Sequence, residues 1–408
     1  SLSPKWELTQ MKEKSLSVDI PIERRNTESL KYDFAVKRGR QENVLPLWVA
    51  DMDFQTSSCI QEELIRRVQH GIYGYTETDD DYFQAVSGWM RRRHSWEVQK
   101  KWIVKTPGVV FALAACIRAY TQAGEAVLIQ QPVYYPFSEV IRDNGRRIIS
   151  SDLIQDADGK YHMNFDDFEQ KIISEKVKLF ILCSPHNPVG RVWTEEELRK
   201  AGEICIRNHV LVVSDEIHED FCFGDSRHRV FATLGQDFAD HSVICTSPGK
   251  TFNLAGLQIS NIFISNDDLR RRFKHQVAAA GYSQANLMGI AACEAAYLYG
   301  DEWYAALMTY LWENIVFLTQ YIRREIPQVK VLYPEGTYLV WLDFRALGLS
   351  EQQREDLLLK KAGLWLDSGL VFGKSGEGFE RINIACTRET LKKALEKLKE
   401  AIADDFAT

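Results

Sequence analysis

The middle of the chain alternates short, unbroken apolar runs with longer stretches of helical periodicity. Residues 126–130 (AVLIQ), 177–183 (VKLFILC), 209–214 (HVLVVS) and 242–246 (SVICT) are too short for helices and mostly rich in β-branched residues, which predicts buried strands. Between them, 109–121 (VVFALAACIRAYT) places apolar residues at helical spacing. Residues 194–208 (TEEELRKAGEICIRN) open on Thr194 with Glu197 three positions later, the signature of a capping box. Fully apolar strands separated by helices predict an α/β architecture, a mainly parallel sheet with helices on both faces. Ligands of such sheets sit beyond the carboxyl ends of the strands.

After about residue 287 the texture changes. Residues 290–324 are rich in Ala, Tyr, Leu and Trp and predict one long helical stretch; strand-like pieces follow at 329–333 and 338–342, then a Lys/Glu helix at 388–403. The expected organisation is a large domain over 46–289, a smaller α+β domain over 290–408 that begins with an interdomain helix, and a segment 1–45 packing with the small domain. No internal repeat or low-complexity tract interrupts this plan.

Composition narrows the function. The 408 residues are 45% hydrophobic and 26% charged, with a net charge of −7. An acidic balance gives no electrostatic case for nucleic acid or an anionic membrane. No apolar stretch is long enough to span a bilayer, and residues 1–17 show no signal-peptide core. The eight cysteines are scattered, without CxxC spacing, and most lie in apolar runs; they read as reduced core residues of a cytoplasmic protein.

The strand ends carry the chemistry. The run 242–246 leads into Ser247-Pro248-Gly249-Lys250, 209–214 into Asp215-Glu216-Ile217-His218, 177–183 into Ser184-Pro185-His186-Asn187, and 126–130 into Gln131-Pro132-Val133-Tyr134-Tyr135. A lone lysine in a turn is usually a solvated residue. Together these groups fit one cofactor, pyridoxal 5'-phosphate. Lys250 offers the amine for its aldehyde. Asp215, at the end of a buried strand, can hold a proton on its pyridine nitrogen. Gly108 opens a helix whose first amides, at Val109 and Val110, suit a phosphate, and Ser247 adds a hydroxyl. Tyr134 can stack on the ring, and Asn187 and His218 can donate to its phenolic oxygen.

Eight stretches then carry a resemblance: RRNTESLKYD (24–33), LPLWVADMDF (45–54), GIYGYT (71–76), QPVYYPF (131–137), NPVGRVW (187–193), SDEIHEDF (214–221), SPGKTFNLAGLQ (247–258) and RINIA (381–385). In family order over nearly the whole chain, they resemble the fold-type I pyridoxal-phosphate enzymes of the class I/II aminotransferase superfamily, and within them the MalY/PatB-type cystathionine β-lyases. The resemblance implies a seven-stranded, mainly parallel sheet and a smaller α+β domain. It implies that Lys250 is the cofactor-binding lysine and the base at Cα, with Tyr134 and Tyr75 as further catalytic candidates. Asp215, His218, Asn187, Gly108, Val109, Val110 and Ser247 hold the cofactor. Tyr75 reaches the phosphate of a neighbouring subunit, so the resemblance implies a homodimer with shared sites. Arg381 grips the substrate α-carboxylate, and Ala50 lines the substrate side. Two departures stand out. Gln258 occupies a position where many aminotransferases carry a phosphate-binding arginine, and 278–286 (AAAGYSQAN) lacks the arginine that fixes a distal carboxylate in dicarboxylate-specific relatives.

The expected reaction is α,β-elimination of cystathionine- or cysteine-type substrates to a thiol, pyruvate and ammonia. An aminotransferase built from the same parts, and a cofactor-bound regulatory protein with weak activity, are the alternatives. Other motifs read as structure. DEIHED (215–220) lacks the second histidine of a metalloprotease helix, so no metal is expected. GKT (249–251) is not a nucleotide loop, because Ile244 stands where that motif needs glycine. RRRH (91–94) reads as a solvated helix face and DADG (156–159) as a turn.

Overall fold

Seven strands build the principal sheet of the computed structural model, which describes residues 18 and 20–407. In chain order they are β1 (Ile103–Thr106), β2 (Ala126–Ile129), β3 (Arg147–Ser150), β4 (Val177–Cys183), β5 (Leu211–Asp215), β6 (Ser242–Thr246) and β7 (Ser260–Phe263). Their spatial order is β1-β7-β6-β5-β4-β2-β3. All pairings are parallel except those of β7, which is antiparallel to β1 and β6. The period of two divides the core: Phe180 and Leu182 of β4 enter one apolar cluster, Leu179 and Ile181 the cluster on the other face. The helix Val109–Tyr120 packs on that second face through Ala112, Leu113 and Cys116.

Burial of both faces is why these strands were readable as continuous apolar runs. One boundary moves: β5 starts at Leu211, because His209 takes a left-handed turn (φ 58) that closes the preceding helix Glu195–Arg207. That helix carries the expected capping box, with the Thr194 hydroxyl accepting from the Glu197 amide and the Glu197 carboxylate from the Thr194 amide.

The single helix expected over 290–324 is two helices, Leu287–Tyr299 and Asp301–Glu325. Gly300 separates them, where a Cβ would collide with the Phe252 ring and the Ala296 carbonyl. A second, wholly antiparallel sheet follows: β8 (Lys330–Leu332), β9 (Leu339–Asp343), β10 (Asp367–Ser368) and β11 (Phe379–Asn383), in the order β8-β9-β11-β10. Leu45–Pro46 pairs in parallel with Leu364–Trp365, and Trp48 stacks on Trp365 at 4.2 Å. Residues 1–17, read above for targeting signals, lie outside the described residues. Among the described residues no helix is long and apolar enough to cross a membrane, and none of the eight cysteines forms a disulfide.

Candidate active site

The carboxyl ends of β4, β5 and β6 and the start of the helix Val109–Tyr120 surround a cavity of about 390 Å³. Ten of the twelve residues singled out above line it: Ala50, Gly108, Val109, Val110, Tyr134, Asn187, Asp215, His218, Ser247 and Lys250. Lys250 sits in the one-turn helix Pro248–Thr251 directly after β6. Ser247 caps that turn: its hydroxyl accepts from the Gly249 amide (2.9 Å) and donates to the Ile259 carbonyl (2.7 Å). The Lys250 Nζ donates to the Ala50 carbonyl at 2.7 Å. Burial pushes its pKa down to about 8, against the pull of Asp51.

Asp215 ends β5 and is buried; its Oδ1 accepts from the Ile217 amide at 3.1 Å. Burial raises its pKa to about 7, so the carboxylate is short of donors for its negative charge. His218 is held neutral by burial, with a pKa of about 3, and its Nδ1 has no hydrogen-bond partner. Edge-on contact with Tyr338 and a tilted contact with Phe221 fix its ring. At the far end, Gly108 precedes the helix whose first residues are Val109 and Val110, and a Cβ at Gly108 would meet only open space.

These features fit pyridoxal phosphate. A donor-poor carboxylate suits a protonated pyridine, an orphaned buried imidazole nitrogen suits the ring oxygen, and a glycine-flanked helix start suits a phosphate. The amine at about pKa 8 suits an aldehyde.

Two expected residues do not line the cavity. Tyr75 is 98% exposed, on an irregular stretch of its own chain. Arg381, on β11, is buried behind Asn187: its Nη1 donates to Asn187 Oδ1 (3.0 Å) and its Nη2 to the Trp48 carbonyl (2.6 Å). Asp367 Oδ2 lies 3.2 Å from the same Nη2.

Sequence reasoning missed Tyr338 and Asp367. Tyr338 is buried and donates to the Ala50 carbonyl at 3.0 Å, the same acceptor that Lys250 uses. It hides in the apolar run before β9, and only the pairing of β9 with β11 brings it beside the site. His186, which had no assigned role, is structural: its Nε2 contacts the Pro132 carbonyl (2.8 Å) and burial lowers its pKa to about 4.

The run 91–94 is only partly a solvated face. Arg92 and Arg93 pair with Asp301 at the surface, but His94 turns inward to Asp220 (2.8 Å). Together with His228 it gathers Glu216, Glu219 and Asp220 into a buried cluster. Asp220 also accepts from Thr251 (2.7 Å) and Trp89 (3.1 Å), and Glu216 is engaged by His228 (2.6 Å) and the Phe231 amide (3.2 Å). Protein donors thus satisfy Asp220 and Glu216, whereas Glu219 Oε2 has no hydrogen-bond partner, and the bond from Thr251 to Asp220 braces the turn that carries Lys250.

Comparison with known proteins agrees with this geometry. The family described as aminotransferase class I and II matches residues 42–398. Cystathionine beta-lyase PatB of Bacillus subtilis is 43% identical over 388 residues, spanning 95% of this chain and 100% of that protein. The structure of cystalysin from Treponema denticola, which contains a pyridoxal 5'-phosphate cofactor, superposes with a TM-score of 0.92 at 35% identity, covering 96% of this chain and 100% of the other. The PLP-bound C–S lyase from Staphylococcus hominis gives 0.88 at 32% identity over 95% and 98%.

Proposed function

The chain belongs to the aminotransferase class I and II family, and from that premise we propose that it is a pyridoxal-phosphate-dependent carbon–sulfur lyase. Its substrates are cystathionine- or cysteine-type amino acids with sulfur at Cβ. The observation that carries elimination over transamination is the 43% identity to a cystathionine beta-lyase along nearly the whole of both chains. The absence of an arginine in 278–286 supports a substrate without a fixed distal carboxylate.

When bound, pyridoxal phosphate supplies an aldehyde for amines and an electron sink for charge developing at Cα. Lys250 would bind the aldehyde and, once released by the incoming substrate amine, accept the Cα proton at Nζ. Its lowered pKa of about 8 leaves a usable fraction of free amine near neutral pH. Asp215 would hold a proton at the ring nitrogen, and that pairing relieves the carboxylate's burial. Asn187 and neutral His218 would donate to the ring oxygen, Tyr134 would cover the ring face, and the amides of Val109 and Val110 would bind the phosphate, with the Ser247 hydroxyl turning to it from the Ile259 carbonyl. Arg381 would orient the substrate carboxylate so that the Cα–H bond stands perpendicular to the ring. The elimination consumes one water and releases a thiol, pyruvate and ammonia.

Exposed Tyr75, with Ile72 and Tyr73 beside it, supports a homodimer in which Tyr75 completes the neighbouring subunit's site. That none of the eight cysteines is in a disulfide supports a reducing, cytoplasmic setting.

The test supplies L-cystathionine to the holoenzyme without any keto acid. Pyruvate and free thiol should appear in equal amounts over many turnovers, and Lys250→Ala should abolish both. A single bleaching of the cofactor absorbance without turnover would instead identify an aminotransferase, and no change at all a binding protein.

A further inference from the structure

Strands β10 and β11 pair so that Asp367 stands directly opposite Arg381. Directly opposed residues of an antiparallel pair project to the same face, so a carboxylate is built in beside the arginine. Arg381 is 2% exposed and has five N–H donors to satisfy. The hydrogen bonds it makes, to Asn187 Oδ1 and the Trp48 carbonyl, go to neutral acceptors. Among the described residues, the carboxylate in ionic contact with it is Asp367, at 3.2 Å.

That contact is incompletely bonded. Neither Asp367 Oδ2 nor Arg381 Nε has a hydrogen-bond partner, so the pair attracts by charge without the aligned fork that makes arginine–carboxylate pairs strong. A carboxylate reaching Arg381 could align with Nε and the neighbouring Nη2, the edge on which Asp367 makes only an ionic contact. Asp367 also has a second partner within reach. Burial raises the Asp367 pKa, while the Arg381 charge and hydrogen bonding from Tyr135 pull it back; the Tyr135 ring packs edge-on against Phe372, which carries the Arg381 guanidinium on its face at 5.0 Å.

We propose that Asp367 is the resident counter-ion of Arg381, neutralising the guanidinium until a substrate carboxylate displaces it and thereby setting affinity for the α-carboxylate. Asp367 is a specificity-determining residue on this account, and Tyr135 is the donor that receives it when the exchange occurs. The inference rests on the reading of Arg381 as the carboxylate-binding residue.

The probe is propionate, a monocarboxylate with no amine to react, titrated calorimetrically into the full-length holoenzyme. Asp367→Asn removes the competing charge and should tighten propionate by about tenfold, with KM for L-cystathionine falling in parallel and kcat not rising. Asp367→Glu retains the charge and should not tighten it. A folded Asp367→Asn protein that binds propionate as the wild type does, or more weakly, overturns the proposal. Should that variant fail to fold, Tyr135→Phe decides: it leaves Asp367 more dependent on Arg381, so propionate should weaken by about twofold to fivefold, and unchanged or tighter binding overturns the proposal. Arg381→Lys separates the two levels. If it leaves propionate binding intact, the carboxylate reading of Arg381 fails and the counter-ion with it. If it weakens binding while Asp367→Asn does not tighten it, only the counter-ion fails.

Discussion

In its proposed role at the ring nitrogen, Asp215 would serve the chemistry at the expense of the fold. Its carboxyl is buried with a backbone amide as its hydrogen-bond donor, and its pKa rises from 3.8 to about 7. A carboxylate whose folded pKa is raised costs stability wherever it is ionised in the unfolded chain but resisted in the folded one. That cost is fully present above pH 7 and vanishes as the pH falls toward 3.8. Asp215→Asn should therefore stabilise the cofactor-free protein at pH 8, on the order of 2–4 kcal/mol by denaturant titration, and leave it unchanged near pH 3.5. The same substitution should lower turnover by about a hundredfold or more, because asparagine cannot hold a proton on the ring nitrogen. Equal stability of the two proteins at pH 8 would contradict the donor-poor environment described for this carboxylate.

At the scale of elements, the site depends on where strands stop and helices start. The chain leaves β4, β5 and β6 on one edge of the sheet, so Asn187, Asp215 and Lys250 come within one cavity although they are far apart in sequence. The helix Val109–Tyr120 aims its unbonded first amides at the same space. Gly108 is not needed for backbone conformation, since its φ of 176° is extended, nor for packing, since its Cβ direction is empty. On the proposed function the glycine leaves that space for the cofactor phosphate. Gly108→Ala should therefore leave the melting temperature of the cofactor-free protein unchanged, yet weaken pyridoxal phosphate binding by about tenfold, measured by fluorescence quenching on cofactor addition. A loss of apoprotein stability comparable to the loss of affinity would mean that the glycine serves packing instead.

At the scale of the whole molecule, a cluster of apolar side chains faces solvent between residues 65 and 75. Ile65 and Val68 are each 54% exposed, Ile72 66%, Tyr73 61% and Tyr75 98%. Grouped apolar exposure of this kind fits the homodimer proposed above, in which Tyr75 at its edge would complete a neighbouring site. Mixing subunits tests this directly. Lys250→Ala and Tyr75→Ala proteins, each inactive alone, should regain a fraction of wild-type activity when unfolded and refolded together, because a hybrid dimer contains one intact site. Absence of any recovery, with dimers present by sedimentation, would place Tyr75 outside the shared site.

The sequence by itself determined whatever depends on near neighbours or on burial of a whole run. Strands 177–183 and 242–246 are found where the apolar pattern placed them, because a strand covered on both faces must be apolar throughout. The capping box of Thr194 and Glu197 spans three residues and needs no tertiary context. Lys250, Asp215 and Asn187 were legible because parallel sheets gather strand ends, so chemistry immediately after a buried strand is chemistry at the site. Only the tertiary structure decided the rest. The break at Gly300 comes from Phe252, nearly fifty residues away, pressing where a Cβ would stand. His94 turned from an exposed run into the core because Asp220 waits there to accept its proton. Tyr338 reached Ala50, and Asp367 reached Arg381, through the antiparallel register of β9, β10 and β11. Register is set by pairing between segments distant in the chain, and the alternation within any one strand does not encode which residue of another will stand opposite it.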